Sequence, residues 1–462
     1  MDNLWCTMMM SVYINENHKP FGHDLDSILN QYLGGERKEK AKAKAMRGFG
    51  WEKTPPYLMD VYACQDATHL PKLRKTLHAL MDPIHIKLWE DYDRRFMLLL
   101  AEIERRGIPI DRELCSQLQE KCQARLDEIQ QLLGFDPAKP SQLHPKLFDD
   151  PPFGLGLEIP SHTPTGKPQV SLSWLASVGH PTTALVYEYR KTAKQLSSYF
   201  SAYMGLTTWD YPRLHPNFKQ HGTETGRLSC ENPNLQQIPR EDYKDASVKR
   251  LFLPETGKQL WEIDYRTIEY RMQAVYAQSP TLLELFENEG DFHQLVADDV
   301  SRQTGKSISR QQAKTINYLM SFGGGVSVLK AQLGVEYSLA AQIHAAYKDS
   351  YPEIFNKSDE AYEYAQREME ISMWHGRTRH FQYQRECYSA FNACIQGGSF
   401  EIVKRSMLLL QQAGFTISNQ VHDSVWINVD NESQVIEAQK VMEEWTQPMF
   451  GLTFRTDRKR LA

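Results

Sequence analysis

Residues 415–421 and 424–429 alternate apolar and polar side chains on either side of His422-Asp423. This pattern predicts a β-hairpin with a carboxylate at its tip. A second strand pattern, Leu260-Trp261-Glu262-Ile263-Asp264, ends on another carboxylate just before a helical run that opens at Thr267. Asp264 and Asp423 are 159 residues apart, yet two strand-end carboxylates can converge on one sheet edge. There they would suit a pair of Mg2+ ions about 4 Å apart, which activate an attacking hydroxyl and stabilise a leaving phosphate oxygen. Mg2+ keeps much of its water and borrows substrate phosphates, so a sparse ligand set is no objection. Each acid also has a plainer reading: Asp264 as the N-cap of the next helix, Asp423 as ordinary turn chemistry.

Arg310, Lys314, Tyr318 and Phe322 are each four residues apart and form one drifting stripe on a helix that Gly323-Gly324-Gly325 follows. Two cations followed by two aromatics match a nucleoside triphosphate laid along the helix, phosphates toward its N-terminal end. The alternative is an amphipathic helix with an aromatic core stripe and solvated charges. Thr223-Glu224-Thr225-Gly226-Arg227 and Asn232-Pro233-Asn234-Leu235-Gln236 make a polar, turn-rich segment. Its arginine and amides can read minor-groove acceptors, or simply cap loops. Gly305-Lys306-Ser307 ends like a phosphate-binding P-loop, but the upstream glycine it requires is Val300, which excludes that reading.

Composition excludes other classes. The 9 Trp, 22 Tyr and 19 Phe are far more aromatic mass than a disordered chain carries. No apolar run approaches the roughly 18 residues of a membrane-spanning helix. Seven cysteines without a C-x-x-C pair point to a reducing, cytoplasmic setting. The spacing of Cys115/Cys122 and Cys387/Cys394 fits buried thiols on helices. The 53 basic and 58 acidic residues give a net charge of −5, which leaves room for a local basic cleft. The first 80 or so residues read as a small mixed unit containing the charged run 35–42. Residues 82–133 read as two helices broken at Gly107-Ile108-Pro109, and 135–181 as irregular connection. A helix follows near Thr183–Met204, whose Arg190, Lys191 and Lys194 are either phosphate contacts or solvated surface. Beyond 205 the texture is α+β.

In this order the four segments resemble the family A DNA polymerases, of the bacterial DNA polymerase I type, in a phage-encoded form. Asp264-Tyr265 with Ile268-Glu269 and Arg271 is similar to the family's first catalytic motif. Arg310, Lys314, Tyr318 and Gly323 resemble its nucleotide-binding helix, Val421-His422-Asp423 its third motif, and Phe391-Asn392 with Gln396-Gly397 its primer–template segment. The resemblance implies an α+β right hand: thumb and connecting segment at 84–205, palm at 206–280 and 376–462, and fingers at 281–375. It implies two Mg2+ ions on Asp264 and Asp423, the dNTP triphosphate on Arg310, Lys314 and His293, and Tyr318 stacked at sugar and base. Glu269 would exclude ribonucleotides. Arg227, Asn234, Gln236, Asn392, Gln396 and His422 would contact primer–template DNA. Tyr318, rather than Phe, implies tolerance of dideoxynucleotides.

Some positions depart from the family pattern. Arg266-Thr267 replaces Ser-Gln, Tyr270 replaces Leu, Phe322 replaces Tyr, and Ser424 stands where Glu is frequent. Activity is expected to survive them with altered fidelity. Residues 1–83 resemble the end of a 3′–5′ exonuclease domain of ribonuclease H-like fold. Tyr62 and Asp66 match its last motif, but residues 1–61 offer no Asp-x-Glu pair. The expectation is a truncated domain, inactive alone: either a structural remnant, or half of a gene split in two whose second polypeptide would complete it. The competing reading is a non-catalytic DNA-binding replication accessory. A single-subunit RNA polymerase is excluded by Glu269, which leaves little room for a 2′-hydroxyl.

Overall fold

A computed structural model describes residues 4–17, 22–34, 53–239, 248–321 and 323–462. The charged run 35–42 and Phe322 lie outside the described residues, and so does the side chain of Tyr62. The chain divides into two compact units. The first comprises Met1–Ile103, Phe218–Cys230 and Glu262–Lys459; the second comprises Glu104–Asn217, Glu231–Trp261 and Arg460–Ala462. The sequence boundary at residue 84 therefore falls inside the first unit.

A four-stranded sheet, most of whose residues belong to the first unit, runs in the order Thr456–Arg460, Gln259–Tyr265, Ser424–Val429, Thr416–Val421. The last two strands form the expected antiparallel hairpin, with Val421 opposite Ser424 and a bulge between Ile417 and Asn419. Every residue of Ser424–Val429 is buried, as a strand covered on both faces requires. Across one face runs the Ala390–Gln412 helix, whose residues from Ala390 to Leu410 are mostly buried. Its Gly397 has no room for a side chain: a Cβ there would stand 2.3 Å from Met373 Sδ and 2.6 Å from the Thr225 carbonyl oxygen.

The amino-terminal part of this unit is helical rather than mixed. Thr7–Ile14, Leu25–Leu33 and Pro56–Leu80 are helices, and no strand occurs among the described residues of 4–83. Met9, Met10, Tyr13, Ile28, Leu29, Leu73 and Leu77 form one core with Trp89. Two short helices, and a long one interrupted by Pro71, blur the 3.6-residue period, so the sequence reads as mixed.

In the second unit the Arg112–Leu133 helix is capped by Asp111, whose Oδ1 accepts from Leu114 N at 2.9 Å, and ends at Gly134 in the left-handed region. It packs on Pro181–Gln195, with Arg125 Nε 2.7 Å from Glu188 Oε1. Residues 135–181 are not wholly irregular. Pro140–Phe148 and Leu172–Ser177 are helices, and Leu143, Leu147 and Leu175 form a small core with Val186. Pro140 and Pro181 start helices at positions where a missing N–H costs nothing, although proline-rich sequence reads as loop. Arg190 donates to the Val170 carbonyl at 2.6 Å, so it serves this packing rather than standing as free charge. Cys115, Cys122, Cys387 and Cys394 are buried free thiols, and burial pushes Cys115 up to about 11. Among the described residues no helix is long and apolar enough to cross a membrane.

Candidate active site

Strand alternation buries Trp261, Ile263 and Tyr265 and turns Glu262 and Asp264 to the other face. The strand ends at Tyr265, where the buried phenol donates to the Met442 carbonyl at 2.6 Å. The next helix, Ile268–Ala277, starts from Thr267 at φ 46. A β-branched residue in the left-handed region is strained, and such strain collects at functional turns. Thr267 holds the cap position, so Asp264 is not the helix cap.

Asp423 reaches the same sheet edge from the hairpin. His422 takes φ 53, closing the two-residue turn, and its carbonyl accepts from Gln420 Nε2. Tyr265 N donates to the Asp423 carbonyl at 3.3 Å, so the residue following Asp264 meets the hairpin tip. His422 is exposed, while Asp264 and Asp423 are half-buried.

Glu269 stands on the first turn of the Ile268–Ala277 helix and pairs with Arg227. The same Arg227 Nη2 is 3.9 Å from Asp423 Oδ1. Burial raises the Glu269 carboxyl above the usual glutamate range and the Asp423 charge adds to it, while Arg227 opposes both. Arg227 is aimed by its own loop, where Thr223 Oγ1 donates to the Arg227 carbonyl at 2.8 Å.

The Arg310–Ser321 helix buries Ala313, Ile316, Asn317 and Met320 and exposes Arg310, Lys314 and Tyr318. Tyr318 is 58% exposed, so the stripe is not an aromatic core. Arg310 Nε lies 2.6 Å from Asp291 Oδ2. Asp291 also caps the Phe292–Thr304 helix, accepting from His293 N at 2.9 Å and Gln294 N at 3.2 Å. Burial would raise this carboxyl, but Arg310 and the helix N–H groups hold it below the usual aspartate range. His293 is buried, and its Nδ1 accepts from Asn317 Nδ2 at 2.8 Å. Desolvation lowers the His293 pKa, and the nearby Arg310 and Lys314 charges lower it further. The Tyr270 ring meets His293 edge-on at 5.4 Å. Residues 264, 269, 293, 310, 314, 318 and 423 all lie in the first unit.

A family model described as DNA polymerase family A matches residues 110–453. The chain belongs to DNA polymerase family A. It is 28% identical to DNA polymerase I of Rhizobium leguminosarum over 92% of this chain and 45% of that protein. It is 26% identical to the DNA polymerase of Mycobacterium phage L5, over 88% of this chain and 69% of the phage protein. The chain spans about half the length of the bacterial relatives it matches. Among solved structures it is similar to the POL domain of Pol1 from M. smegmatis in complex with DNA primer-template and dNTP. That likeness has a TM-score of 0.81 and 22% identity, over 98% of this chain and 80% of the other, and is one of fold.

In this family A chain Asn392 and Gln396 are half-buried, one turn apart on the otherwise buried start of the Ala390–Gln412 helix. Asn392 Oδ1 has no hydrogen-bond partner among the described residues. Asn234 and Gln236 belong to the second unit, where Asn234 Oδ1 accepts from Gln236 N at 3.1 Å in a side-chain turn. Asp66 lies in the middle of the Pro56–Leu80 helix, four residues after Tyr62. Arg271 is buried and donates to the carbonyls of Arg266, Phe286 and Thr453, a packing role.

Sequence reasoning missed two acids. Asp291 carried a legible signal, an acid directly before a helical run, but its pairing with Arg310 did not. Glu262 accepts from Ser424 Oγ at 3.1 Å and Trp426 Nε1 at 3.2 Å. A carboxylate from the neighbouring strand thus stands beside the serine that occupies the family's frequent glutamate position.

Proposed function

We propose that this chain is a template-directed DNA polymerase: the primer 3′-hydroxyl attacks the α-phosphate of a dNTP, and pyrophosphate leaves. The observation that carries the reading is the meeting of the Asp264 strand with the Asp423 turn, in one compact unit with an exposed Arg310–Lys314–Tyr318 stripe. Two half-buried carboxylates fit Mg2+, which completes its octahedron with water and substrate phosphates. Asp264 and Asp423 would be the protein's share of the ligands. Bound there, two ions would lower the pKa of the attacking hydroxyl and neutralise charge on the leaving oxygen.

The chain's own side chains do the rest. Arg310 exchanges Asp291 for the triphosphate, and Lys314 joins it one turn along, stabilising charge that grows toward the leaving pyrophosphate. His293, neutral and held by Asn317 of that helix, offers its remaining ring nitrogen to the phosphates. Tyr318 stacks at sugar and base, and Glu269 occupies the space that a 2′-hydroxyl would need. Arg227, Asn234, Gln236, Asn392, Gln396 and His422 contact primer and template. Residues 84–205 serve as thumb, 206–280 and 376–462 as palm, and 281–375 as fingers. Asp66 alone cannot assemble a two-ion hydrolytic site, so residues 1–83 excise nothing by themselves. The seven free thiols suit the cytoplasm of a bacterial or infected cell.

Primer extension on matched and mismatched ends, with the wild type beside Asp423→Ala, tests the reading. Extension by the wild type alone supports it. Extension by neither chain would make this a DNA-binding accessory, and clear excision of mismatched ends would overturn the inactive exonuclease.

A further inference from the structure

Glu16, in the amino-terminal segment, is buried although it carries a charge. Its Oε1 accepts from Arg379 Nη1 and from His380 N, each at 2.7 Å, and its Oε2 accepts from His380 Nδ1 at 2.8 Å. Asn17 adds two bonds to the same strand, accepting from Arg379 Nη1 at 2.8 Å and donating to the His380 carbonyl at 3.0 Å. Burial would raise the Glu16 carboxyl, but His380 and Arg379 hold it below the usual glutamate range. A carboxylate desolvated this completely persists only because each oxygen is paired.

The chain of contacts continues into the site. Arg379 spends its other nitrogen, Nη2, on Glu224 Oε2 at 2.5 Å. Glu224 is three residues before Arg227, in the loop whose arginine reaches Glu269 and Asp423. Two residues upstream of Arg379, the buried Arg377 lies against Gly226 of this loop, where a Cβ would stand 3.0 Å from the guanidinium carbon. Gly226 has φ 80, so the loop needs glycine both for its backbone and for this approach. The strand Thr378–His380 and the residue just before it therefore grip the loop at Glu224 and Gly226. Behind that strand stands the amino-terminal segment, with Tyr13 donating to Asp93, which pairs with Lys404.

We infer that Glu16 is a positioning residue for DNA synthesis: through Arg379 and Glu224 it sets the loop that presents Arg227 to the primer–template. The amino-terminal segment is then a working part of the polymerase rather than a relic. This rests on the polymerase reading above. The groups paired with Glu16 are Arg379 and His380, and Arg379 has no other acid than Glu16 and Glu224 within ion-pair reach among the described residues.

The test uses the full chain. Glu16→Gln keeps the shape and removes the charge, loosening Arg379. Its Kd for a fluorescent primer–template should rise about tenfold, with kcat at saturating DNA little changed. The decisive comparison is in an Arg227→Ala background, where Glu16→Gln should add almost nothing to Kd, because both changes act on one contact. Glu16→Asp, which restores the charge, should recover part of the affinity. If Glu16→Gln lowers only the melting temperature, or weakens DNA binding equally with and without Arg227, the inference is wrong and Glu16 is merely structural. A wild type that neither binds nor extends a primer–template sinks the polymerase reading. A wild type that extends normally beside an unaffected Glu16→Gln sinks only the role of Glu16.

Discussion

Arg227 donates to Glu269 from the same nitrogen that stands 3.9 Å from Asp423, so one guanidinium spans a proposed sugar-gate acid and a proposed metal-binding acid. In the free chain this cation opposes the rise in the Glu269 pKa that burial causes and the Asp423 charge adds to. Glu269→Ala should raise ribonucleotide incorporation about a hundredfold relative to dNTP, since a steric exclusion is lifted. Unchanged sugar selectivity in competition assays would remove Glu269 from the gate.

The same pair sets a pH dependence. A raised folded-state pKa means that ionised Glu269 works against the fold, so its favourable contribution exists at low pH and is lost as pH rises through the folded pKa. Glu269→Gln should therefore melt higher than wild type at pH 7 and equal to it below the unfolded glutamate value, about 4.3. Melting curves across that range decide the point.

Asp264→Ala and Asp423→Ala should each lower kcat for extension by about a thousandfold or more, with primer–template Kd changed little. Rapid-quench rates beside fluorescence binding separate the two effects. A tenfold smaller loss in either variant would leave the proposed ion site without its ligand.

Arg310 is held by Asp291 across an ion pair about half exposed on both sides. Such pairs are worth roughly 0.2–1 kcal/mol. Asp291→Asn keeps a good helix cap and frees Arg310, so KM for dNTP should fall about two- to fivefold. Arg310→Ala should instead raise KM by about tenfold or more, as loss of a charged phosphate contact does. A rise in KM for Asp291→Asn would mean that the aspartate orients Arg310 for substrate rather than competing for it.

His293 has a depressed pKa, so the folded state resists its protonation. Stability from the neutral ring is complete above the unfolded value near 6.5 and is lost as pH falls through the folded pKa. The wild-type melting temperature should drop as pH falls below about 6.5, and His293→Gln should flatten that part of the curve.

The strands, the hairpin and the exposed stripe were legible because each is written in local periodicity. Alternation at 260–265 and 415–429 carries the sheet, and a four-residue step carries Arg310, Lys314 and Tyr318 to one helix face. The helices within 135–181 were not, because proline reads as a breaker until its place at a helix start is known. Nor was the helical character of the amino-terminal residues, two of whose helices are short and all of which share one core, with Pro71 interrupting the longest.

The sequence by itself determined which chemistry-bearing residues exist and which faces of strand and helix they occupy, since both follow from bond geometry along a few consecutive residues. Tertiary structure alone decided the partners: Arg227 with Glu269, Arg310 with Asp291, Glu262 with Ser424, and Glu16 with Arg379. Those pairs join positions tens to hundreds of residues apart, and a long-range ion pair leaves no periodic trace. Which partners meet is set by how packing brings distant strands, helices and loops together, the buried Glu16–Arg379 pair as much as the half-exposed Arg310–Asp291 pair.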